Sequence, residues 1–242
     1  ERVHNQRLMG KNGFRQVLVN NVGKFLNEIR REEPVPGEEL RLTLDFELQE
    51  IAETELSNSP GAVVALNPKS GAILALASAP GFDPNLFASR ISSAKWKELI
   101  EDEDRPFQNR AIQSAFAPGS TFKVIMALAG LESGIIDRST SVYCNGAVNL
   151  YGRPFRCWNA GGHGRVALRE AIRQSCNVYF YLLGQKLGVD QIARVAKKFG
   201  FGELTGVDLR GENPGLLPST EWKRRVLGVP WYPGETISVA IG

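Results

Sequence analysis

Apolar and polar residues change their spacing along the chain, and this change predicts a mixed α+β fold. Residues 40–44 alternate between apolar and polar side chains, which is typical of a half-buried strand. The apolar residues that follow recur at helical spacing, which predicts a helix with Asp45 as its N-cap. These residues are Leu48, Ile51, Ala52 and Leu56.

Two apolar runs, residues 61–66 and 72–77, flank the turn sequence Asn67-Pro68-Lys69-Ser70-Gly71. Asn, Pro and Gly favour tight turns, so the two runs are predicted to form an antiparallel hairpin. Because both runs are apolar throughout, we expect the hairpin in the middle of an antiparallel sheet covered by helices.

Residues 1–40 lack such long patterns and are predicted to form an appendage. They contain short extended pieces, including a strand-like segment at 14–22, and they end near the turn sequence Pro34-Val35-Pro36-Gly37. We therefore expect a domain boundary close to residue 40.

The sequence Pro-Gly-Ser-Thr-Phe-Lys at 118–123 opens an apolar run that continues to Leu131. Pro and Gly stop a preceding element, Ser120 can cap, and the run lacks the polar stripe of an exposed helix. A helix buried inside the protein is therefore predicted. Ser120 and Lys123 are three residues apart, so on this helix the hydroxyl and the amine can touch.

This pair of residues has two interpretations. A serine becomes an effective nucleophile when a nearby base takes its proton, and burial favours the neutral lysine that can do so. Backbone N–H groups at the start of the same helix can stabilise an oxyanion. In the alternative, Ser120 caps a core helix and Lys123 extends to solvent, and S-x-x-K alone does not decide between the two.

A second polar motif, Ser175-Cys176-Asn177, lies between helical patterns at 166–174 and 178–187. Ser175 can relay a proton between Lys123 and a leaving group, and Asn177 can bind a substrate amide through both its donor and its acceptor. S-x-N specifies little alone. Because it follows the S-x-x-K motif and also lies at a helix junction, it favours the catalytic interpretation.

Other patterns complete the predicted elements. Residues 96–100 are expected to form a short helix, and residues 190–199 a longer one with Asp190 as its N-cap. Residues 202–218 are predicted to be an irregular loop, and the apolar residues 238–242 to open one more element.

Composition limits the classes of protein that remain. The 242 residues suffice for one large domain or a domain with an appendage. The net charge of +3 comes from 29 basic and 26 acidic residues spread along the chain, so nucleic acid is not an implied partner. No signal peptide or apolar run of about 20 residues is visible. The chain begins within polar sequence, so we expect it to derive from a longer protein.

Three cysteines and one histidine form the candidate metal site. They are Cys144, Cys157, His163 and Cys176. Their spacing matches no compact zinc signature such as C-x-x-C, but they occupy a segment too polar and glycine-rich to fold by core burial. Four such ligands suit tetrahedral Zn²⁺. A Cys144–Cys157 disulfide, or buried thiols with a surface histidine, are the alternatives.

The motifs resemble those of class B penicillin-binding proteins. S-T-F-K at 120–123 and S-C-N at 175–177 are similar to the first two motifs of the penicillin-recognising serine acyltransferases. P-W-Y-P-G-E-T at 230–236 resembles the elongation-type subfamily, penicillin-binding protein 2. Further similarities are V-P-G at 35–37, L-T-L-D at 42–45, N-P-K-S-G at 67–71, F-D-P-N at 82–85, R-A-I at 110–112, G-H-G at 162–164 and T-G-V-D-L at 205–209.

The resemblance implies an α+β transpeptidase fold like that of penicillin-binding proteins and serine β-lactamases. Residues 41–242 would be the transpeptidase domain and residues 1–40 a remnant of a non-catalytic pedestal. The implied activity is a peptidoglycan D,D-transpeptidase of cell elongation and rod shape, which β-lactams acylate. Ser120 would attack the D-Ala-D-Ala carbonyl with Lys123 as base. Ser175 would pass the proton on, and Asn177 would bind the substrate amide.

The sequence departs from the family in one respect, because it contains no K-T-G motif. We expect the domain to be truncated before the K-T-G strand, which would supply half of the oxyanion hole, so the chain alone is expected to be impaired. A β-lactam-binding sensor domain and an incompetent scaffold of the same fold remain alternatives. A β-lactamase is disfavoured, because no glutamate lies in a recognisable deacylation motif.

The resemblance also implies a location and partners. The expected location is the periplasmic face of the bacterial inner membrane, with an N-terminal anchor outside this sequence. Expected partners are peptidoglycan stem peptides, β-lactam antibiotics and a membrane glycosyltransferase of the elongation machinery. Some penicillin-binding protein 2 relatives carry a metal beside the active site, which adds support for zinc.

Overall fold

The computed structural model describes residues 3–57, 59–88 and 90–242. The chain divides into two compact units, which are described separately. The first unit comprises residues 1–113 and 207–212, and the second comprises residues 114–206 and 213–242. Within the described ranges, no helix is both long and apolar enough to cross a bilayer.

The first unit contains short helices and two separate hairpins. Its elements are α1 (Asn5–Leu8), β1 (Phe14–Val19), β2 (Phe25–Glu32), α2 (Phe46–Leu56), β3 (Gly61–Leu66), β4 (Ile73–Ala79), a 3₁₀ helix (Pro84–Phe87), α3 (Ser93–Glu101) and α4 (Arg110–Gln113). The strands pair antiparallel as β1–β2 and β3–β4. The strand predicted within 14–22 and the helix at 96–100 are confirmed as β1 and α3.

Helix α2 begins as predicted. The Asp45 carboxylate accepts a hydrogen bond from the backbone N–H of Leu48 at 3.1 Å, as an N-cap does. The strand predicted at 40–44 is wrong. No strand of the described residues includes this segment; Leu42 is 62% exposed and Leu44 is exposed as well, while Leu40 is half-buried. Alternation alone does not make a strand when no neighbouring strand pairs with it.

The hairpin at 61–77 is confirmed as β3–β4. The Asn67 carboxamide oxygen accepts from the N–H groups of Lys69 and Ser70, which fixes the turn. Ala52 of α2 packs on Ala75 and Ala77 of β4. The expected larger sheet is not seen among the described residues, because this sheet has two strands and β3 alternates between half-buried and exposed positions.

The second unit is predominantly helical. Its elements are a 3₁₀ helix (Gly119–Phe122), α5 (Lys123–Glu132), β5 (Ser141–Cys144), β6 (Ala147–Leu150), β7 (Arg153–Arg156), β8 (Gly164–Ala167), α6 (Leu168–Arg173), α7 (Asn177–Leu187), α8 (Val189–Lys197), α9 (Thr220–Leu227) and α10 (Pro233–Val239). The strands form two small antiparallel sheets, β5–β8 and β6–β7. Neither sheet was predicted, because these strands are short, polar and rich in flanking glycines.

The core of this unit forms where α7 packs against α5, α8 and α10. Met126 of α5, Phe180 of α7 and Ile192 of α8 are fully buried there. Glycine at 184 permits the approach of α10, since a Cβ at that position would lie 2.6 Å from the Cβ of Ala240. Helix α10 thereby packs closely against α7.

Several details of the predicted helices are corrected. Ser120 lies in the 3₁₀ helix and makes no side-chain cap, and α5 exposes Val124, Leu128 and Leu131 on one face instead of being wholly buried. The N-cap of α8 is Gly188, because the Asp190 carboxylate binds Thr220 instead. Residues 238 and 239 belong to the end of α10, and residues 240–242 follow it outside any helix or strand.

Candidate active site and metal centre

Three side chains from the two predicted motifs meet in the second unit. The Ser175 Oγ lies 2.9 Å from the Ser120 Oγ and 3.0 Å from the Lys123 Nζ. Ser175 therefore stands between the hydroxyl of Ser120 and the amine of Lys123. The described hydrogen bonds include none directly between Ser120 and Lys123, which corrects the direct contact expected from their spacing.

Lys123 faces three oxygen acceptors. Besides Ser175 Oγ, its amine donates to the Ser175 carbonyl at 2.9 Å and to the Asn177 Oδ1 at 2.6 Å. An ammonium has three protons, so these acceptors saturate it and leave none for Ser120. The Nζ also lies 5.6 Å from the centre of the Phe180 ring. Lys123 therefore does not extend to solvent, although it would do so if Ser120 only capped a core helix.

Burial lowers the pKa of the Lys123 ammonium, because an enclosed charge loses its hydration. Lys123 is only 2% exposed. Negative charge on Cys157 and Cys176 acts in the opposite direction but does not cancel the effect. The neutral amine is consequently more accessible here than in a lysine on the surface.

The loop that carries Ser175 and Asn177 is held from several sides. Ser175 adopts a left-handed backbone with φ of 51°, and the Cys176 N–H donates to the Ala171 carbonyl at 2.9 Å. The Asn177 Nδ2 donates to the Arg156 carbonyl at 3.5 Å, which orients its Oδ1 towards Lys123. The Tyr181 hydroxyl donates to the same Arg156 carbonyl. Sequence analysis missed both residues, because a backbone acceptor leaves no sequence pattern.

The four candidate metal ligands converge beside this loop. One ligand atom from each of Cys144, Cys157, His163 and Cys176 lies within 4.8 Å of the others. The His163 Nδ1 is 3.6 Å from the Cys144 sulfur and 3.5 Å from the Cys157 sulfur. In tetrahedral zinc sites the nitrogen and sulfur ligands are separated by about 3.6 Å, given the usual bond lengths. The donor set and its spacing therefore fit this metal.

His163 also has the environment of a ligand. Its other ring nitrogen, Nε2, is buried without a hydrogen-bond partner among the described residues. Hydrogen bonding at Nε2 therefore does not explain how the ring is oriented, whereas the contacts of Nδ1 with the sulfurs of Cys144 and Cys157 do. All three cysteines are free thiols, so the structure contains no Cys144–Cys157 disulfide.

The pKa values of the Cys157 and Cys176 thiols are shifted in opposite directions. Burial raises the pKa of the Cys176 thiol to about 12. At Cys157 burial also acts to raise the pKa, but backbone N–H groups of Asn159, Val178 and Asn177 donate to the sulfur and lower the pKa below its usual value. The thiolate form that a metal requires is thus favoured by the backbone at Cys157 and opposed by burial at Cys176.

Sequence comparisons agree on one family. The model of the penicillin binding protein transpeptidase domain matches residues 61–242. The chain is 41% identical over its full length to the peptidoglycan D,D-transpeptidase MrdA of Acinetobacter baumannii and 38% identical to MrdA of Escherichia coli K12. It spans 36% and 38% of the lengths of these two relatives.

Comparison of structures gives the same fold. The penicillin-binding protein PBP2 of Helicobacter pylori, in a complex with MreC, matches 99% of this chain at a TM-score of 0.91 and 33% identity. PBP2 of Pseudomonas aeruginosa, in complex with WCK 5153, matches 86% of this chain at a TM-score of 0.82 and 43% identity. These matches cover 45% and 48% of the respective chains, and they confirm the predicted fold class.

Proposed function

Because this chain belongs to the penicillin-binding protein transpeptidase family, we propose that it supplies the acyl-transfer site of a peptidoglycan D,D-transpeptidase. Ser120 attacks the carbonyl of the penultimate D-alanine of a stem peptide and releases the terminal D-alanine. An amine of a second stem peptide then takes the acyl group. A β-lactam enters the same reaction, and its opened ring stays attached to Ser120.

The arrangement of Lys123, Ser175 and Ser120 supports a specific path for the proton. When Lys123 is neutral, its two N–H groups donate to the Ser175 carbonyl and to Asn177, and its lone pair accepts from the Ser175 hydroxyl. In this state the Ser175 oxygen, 2.9 Å from the Ser120 oxygen, is free to accept the Ser120 proton. As Ser120 attacks, its proton passes to Ser175 while the Ser175 proton passes to Lys123.

The reverse path serves the leaving group. Once protonated, Lys123 returns its proton through Ser175 to the nitrogen that departs from the carbonyl. Asn177 keeps its Oδ1 on Lys123 and one N–H of its Nδ2 on the Arg156 carbonyl, and its second N–H is left for the substrate. The single observation that carries this proposal is the position of the Ser175 hydroxyl within hydrogen-bond distance of both Ser120 and Lys123.

A fluorescent penicillin tests this function. The chain is examined by itself and joined to the regions that flank the matched segment in the Acinetobacter relative. We expect covalent label in at least the joined form, none in Ser120→Ala, and full label in Ser133→Ala, whose hydroxyl donates to the Gly130 carbonyl. Absence of label in both forms, or label that survives in Ser120→Ala, contradicts the proposal.

We further propose that Cys144, Cys157, His163 and Cys176 hold a structural Zn²⁺. The zinc would link strand β5, the end of β7 and the loop that carries Ser175 and Asn177, and it would stabilise these thiolates electrostatically. Metal analysis of protein purified without chelator should find about one zinc per chain. Cys144→Ser should lower this content, and protein free of zinc would contradict the proposal.

The remaining proposals concern the whole protein. We propose that residues 41–242 are transpeptidase domain and residues 1–40 pedestal; the family match supports residues 61–242 of this domain. The proposed location is the periplasmic face of the inner membrane. The proposed role is in cell elongation and the maintenance of rod shape, together with a membrane glycosyltransferase as partner. Retrieval of a membrane glycosyltransferase from a membrane extract by the tagged protein tests this assignment. A variant that lacks strands β1 and β2 serves as the comparison.

A further inference from the structure

Tyr181 is a buried tyrosine of α7 that has no part in the proton path. It is 5% exposed, and the centre of its ring lies 5.5 Å from that of Phe155. Leu150 and Ile237 are buried in the same apolar cluster. A buried tyrosine needs a hydrogen-bond partner for its hydroxyl. Here the hydroxyl donates to the Arg156 carbonyl at 3.2 Å.

The Arg156 carbonyl accepts a second hydrogen bond from the candidate site. The Asn177 Nδ2 donates to the same oxygen at 3.5 Å. A carbonyl oxygen has two lone pairs, so it can accept from both groups at once. Asn177 and Tyr181 are four residues apart on α7 and therefore lie on one face of this helix. The tyrosine hydroxyl thus fixes the acceptor against which the Asn177 amide is held.

The direction of the Asn177 amide decides what it can offer to a ligand. In the observed direction Lys123 donates to the Oδ1 at 2.6 Å, Nδ2 faces the Arg156 carbonyl, and one N–H of Nδ2 remains for the ligand. A half-turn of the amide would exchange Oδ1 and Nδ2. Two donors would then meet at Lys123 and two acceptors at Arg156. The two partners together therefore hold the amide with its free N–H towards the ligand.

The Tyr181 hydroxyl is suited to hold this carbonyl at neutral pH. Burial raises its pKa, so the hydroxyl keeps its proton and stays a donor. Hydrogen bonding with the Asn177 side chain opposes the shift without cancelling it. The described hydrogen bonds join Tyr181 to neither Ser120 nor Lys123. Its influence on the reaction therefore passes through Asn177.

We propose that Tyr181 is a positioning residue that gives the site its preference for acyl donors with an amide on the carbon next to the reacting carbonyl. This inference rests on the proposed function. By holding the Arg156 carbonyl, Tyr181 keeps the free N–H of Asn177 directed at the oxygen of that amide. In a stem peptide the amide is the peptide bond that precedes the penultimate D-alanine. In a penicillin it is the side-chain amide.

Two β-lactams that differ in this amide test the proposal. Benzylpenicillin carries it, whereas 6-aminopenicillanic acid has a free amine on the same carbon. The second-order rate constant of acylation is measured for both compounds, in whichever form of the protein reacts with fluorescent penicillin. The variants are Tyr181→Phe, which loses only the hydroxyl, and the matched control Tyr179→Phe. Tyr179 is a buried tyrosine of the same helix, and its hydroxyl donates to the Thr140 carbonyl at 3.3 Å.

We expect Tyr181→Phe to lower the rate constant for benzylpenicillin by about three-fold to ten-fold, which is the effect of one neutral hydrogen bond. The rate constant for 6-aminopenicillanic acid should stay unchanged. Tyr179→Phe should leave the ratio of the two rate constants unchanged. Each variant keeps its buried ring and loses one hydrogen bond to a carbonyl, so the melting temperatures of the two variants should fall alike.

Two results would overturn the inference. One is an unchanged ratio in Tyr181→Phe. The other is an equal loss for both compounds, which would show that the hydroxyl has a purely structural role. If neither compound acylates the unsubstituted protein, the proposed function itself fails.

Discussion

The hydroxyl of Ser175 lies 2.9 Å from the hydroxyl of Ser120, although the two residues come from different helix junctions. The contact depends on the left-handed backbone of Ser175, which turns the chain at the end of α6 before α7 begins. Because Lys123 reaches Ser175 and not Ser120, the serine in the second motif becomes the link between nucleophile and base.

Removal of this link should slow acylation while leaving the nucleophile in place. In Ser175→Ala we expect the acylation rate constant to fall by about 10²- to 10⁴-fold, because a positioned proton relay is lost. Non-covalent binding should change little, which stopped-flow measurements at several penicillin concentrations can separate from the chemical step. A rate near that of the unsubstituted protein would show that Lys123 acts on Ser120 directly.

Acylation should accelerate as the pH rises. Burial lowers the pKa of Lys123, negative charge on Cys157 and Cys176 raises it, and the net result is lower than usual. The neutral amine is the proton acceptor, so the rate should follow its fraction and level off below about pH 10.4, the pKa of an exposed lysine. A rate profile that falls with pH contradicts this. Lys123→Arg, which stays protonated, should be inactive throughout.

Loss of the zinc proposed above should disturb the candidate active site as well as the fold. Cys176 lies between Ser175 and Asn177, so release of its sulfur frees the loop that holds both residues. We expect chelation to lower the melting temperature and the acylation rate together, and added zinc to restore both. Low pH should promote the release of zinc, since protons compete with the metal for the thiolates. A chelator that leaves both quantities unchanged would exclude this role.

The contact between α7 and α10 predicts a pair of compensating substitutions. Gly184→Ala places a Cβ 2.6 Å from that of Ala240, so we expect it to lower the free energy of unfolding by about 1–3 kcal/mol. In the double variant with Ala240→Gly the space is restored, and part of the loss should be recovered.

Urea unfolding measures this effect, with Gly234→Ala as the control. A Cβ at Gly234, in the first turn of α10, would meet no atom within 4 Å. Strict additivity of Gly184→Ala and Ala240→Gly would show that the two positions do not share the proposed contact.

Much of the site was predictable because its residues belong to short motifs. Ser120 and Lys123 stand at the start of an apolar run, and Ser175 and Asn177 at the start of another. Each position follows from local rules for helix beginnings. The bridging role of Ser175 was beyond such rules, because it depends on a positive φ and on packing between helices distant in sequence.

Elsewhere the sequence pattern gave wrong predictions, because contacts with residues distant in sequence determine the local structure there. Residues 40–44 alternate like a strand but belong to no strand of the described residues, and Asp190 resembles a cap but binds Thr220. The four short strands around the cysteines have too few apolar residues to be recognised. Their arrangement instead brings Cys144, Cys157 and His163 together, which sequence spacing alone did not indicate.

The central claim is that Ser120 is the residue acylated. Mass spectrometry of the protein after incubation with benzylpenicillin, followed by proteolysis, locates the adduct directly. The account predicts one penicilloyl group per chain, carried by the peptide that contains Ser120, with no adduct in Ser120→Ala. An adduct on any other residue, or one that persists in Ser120→Ala, would contradict it.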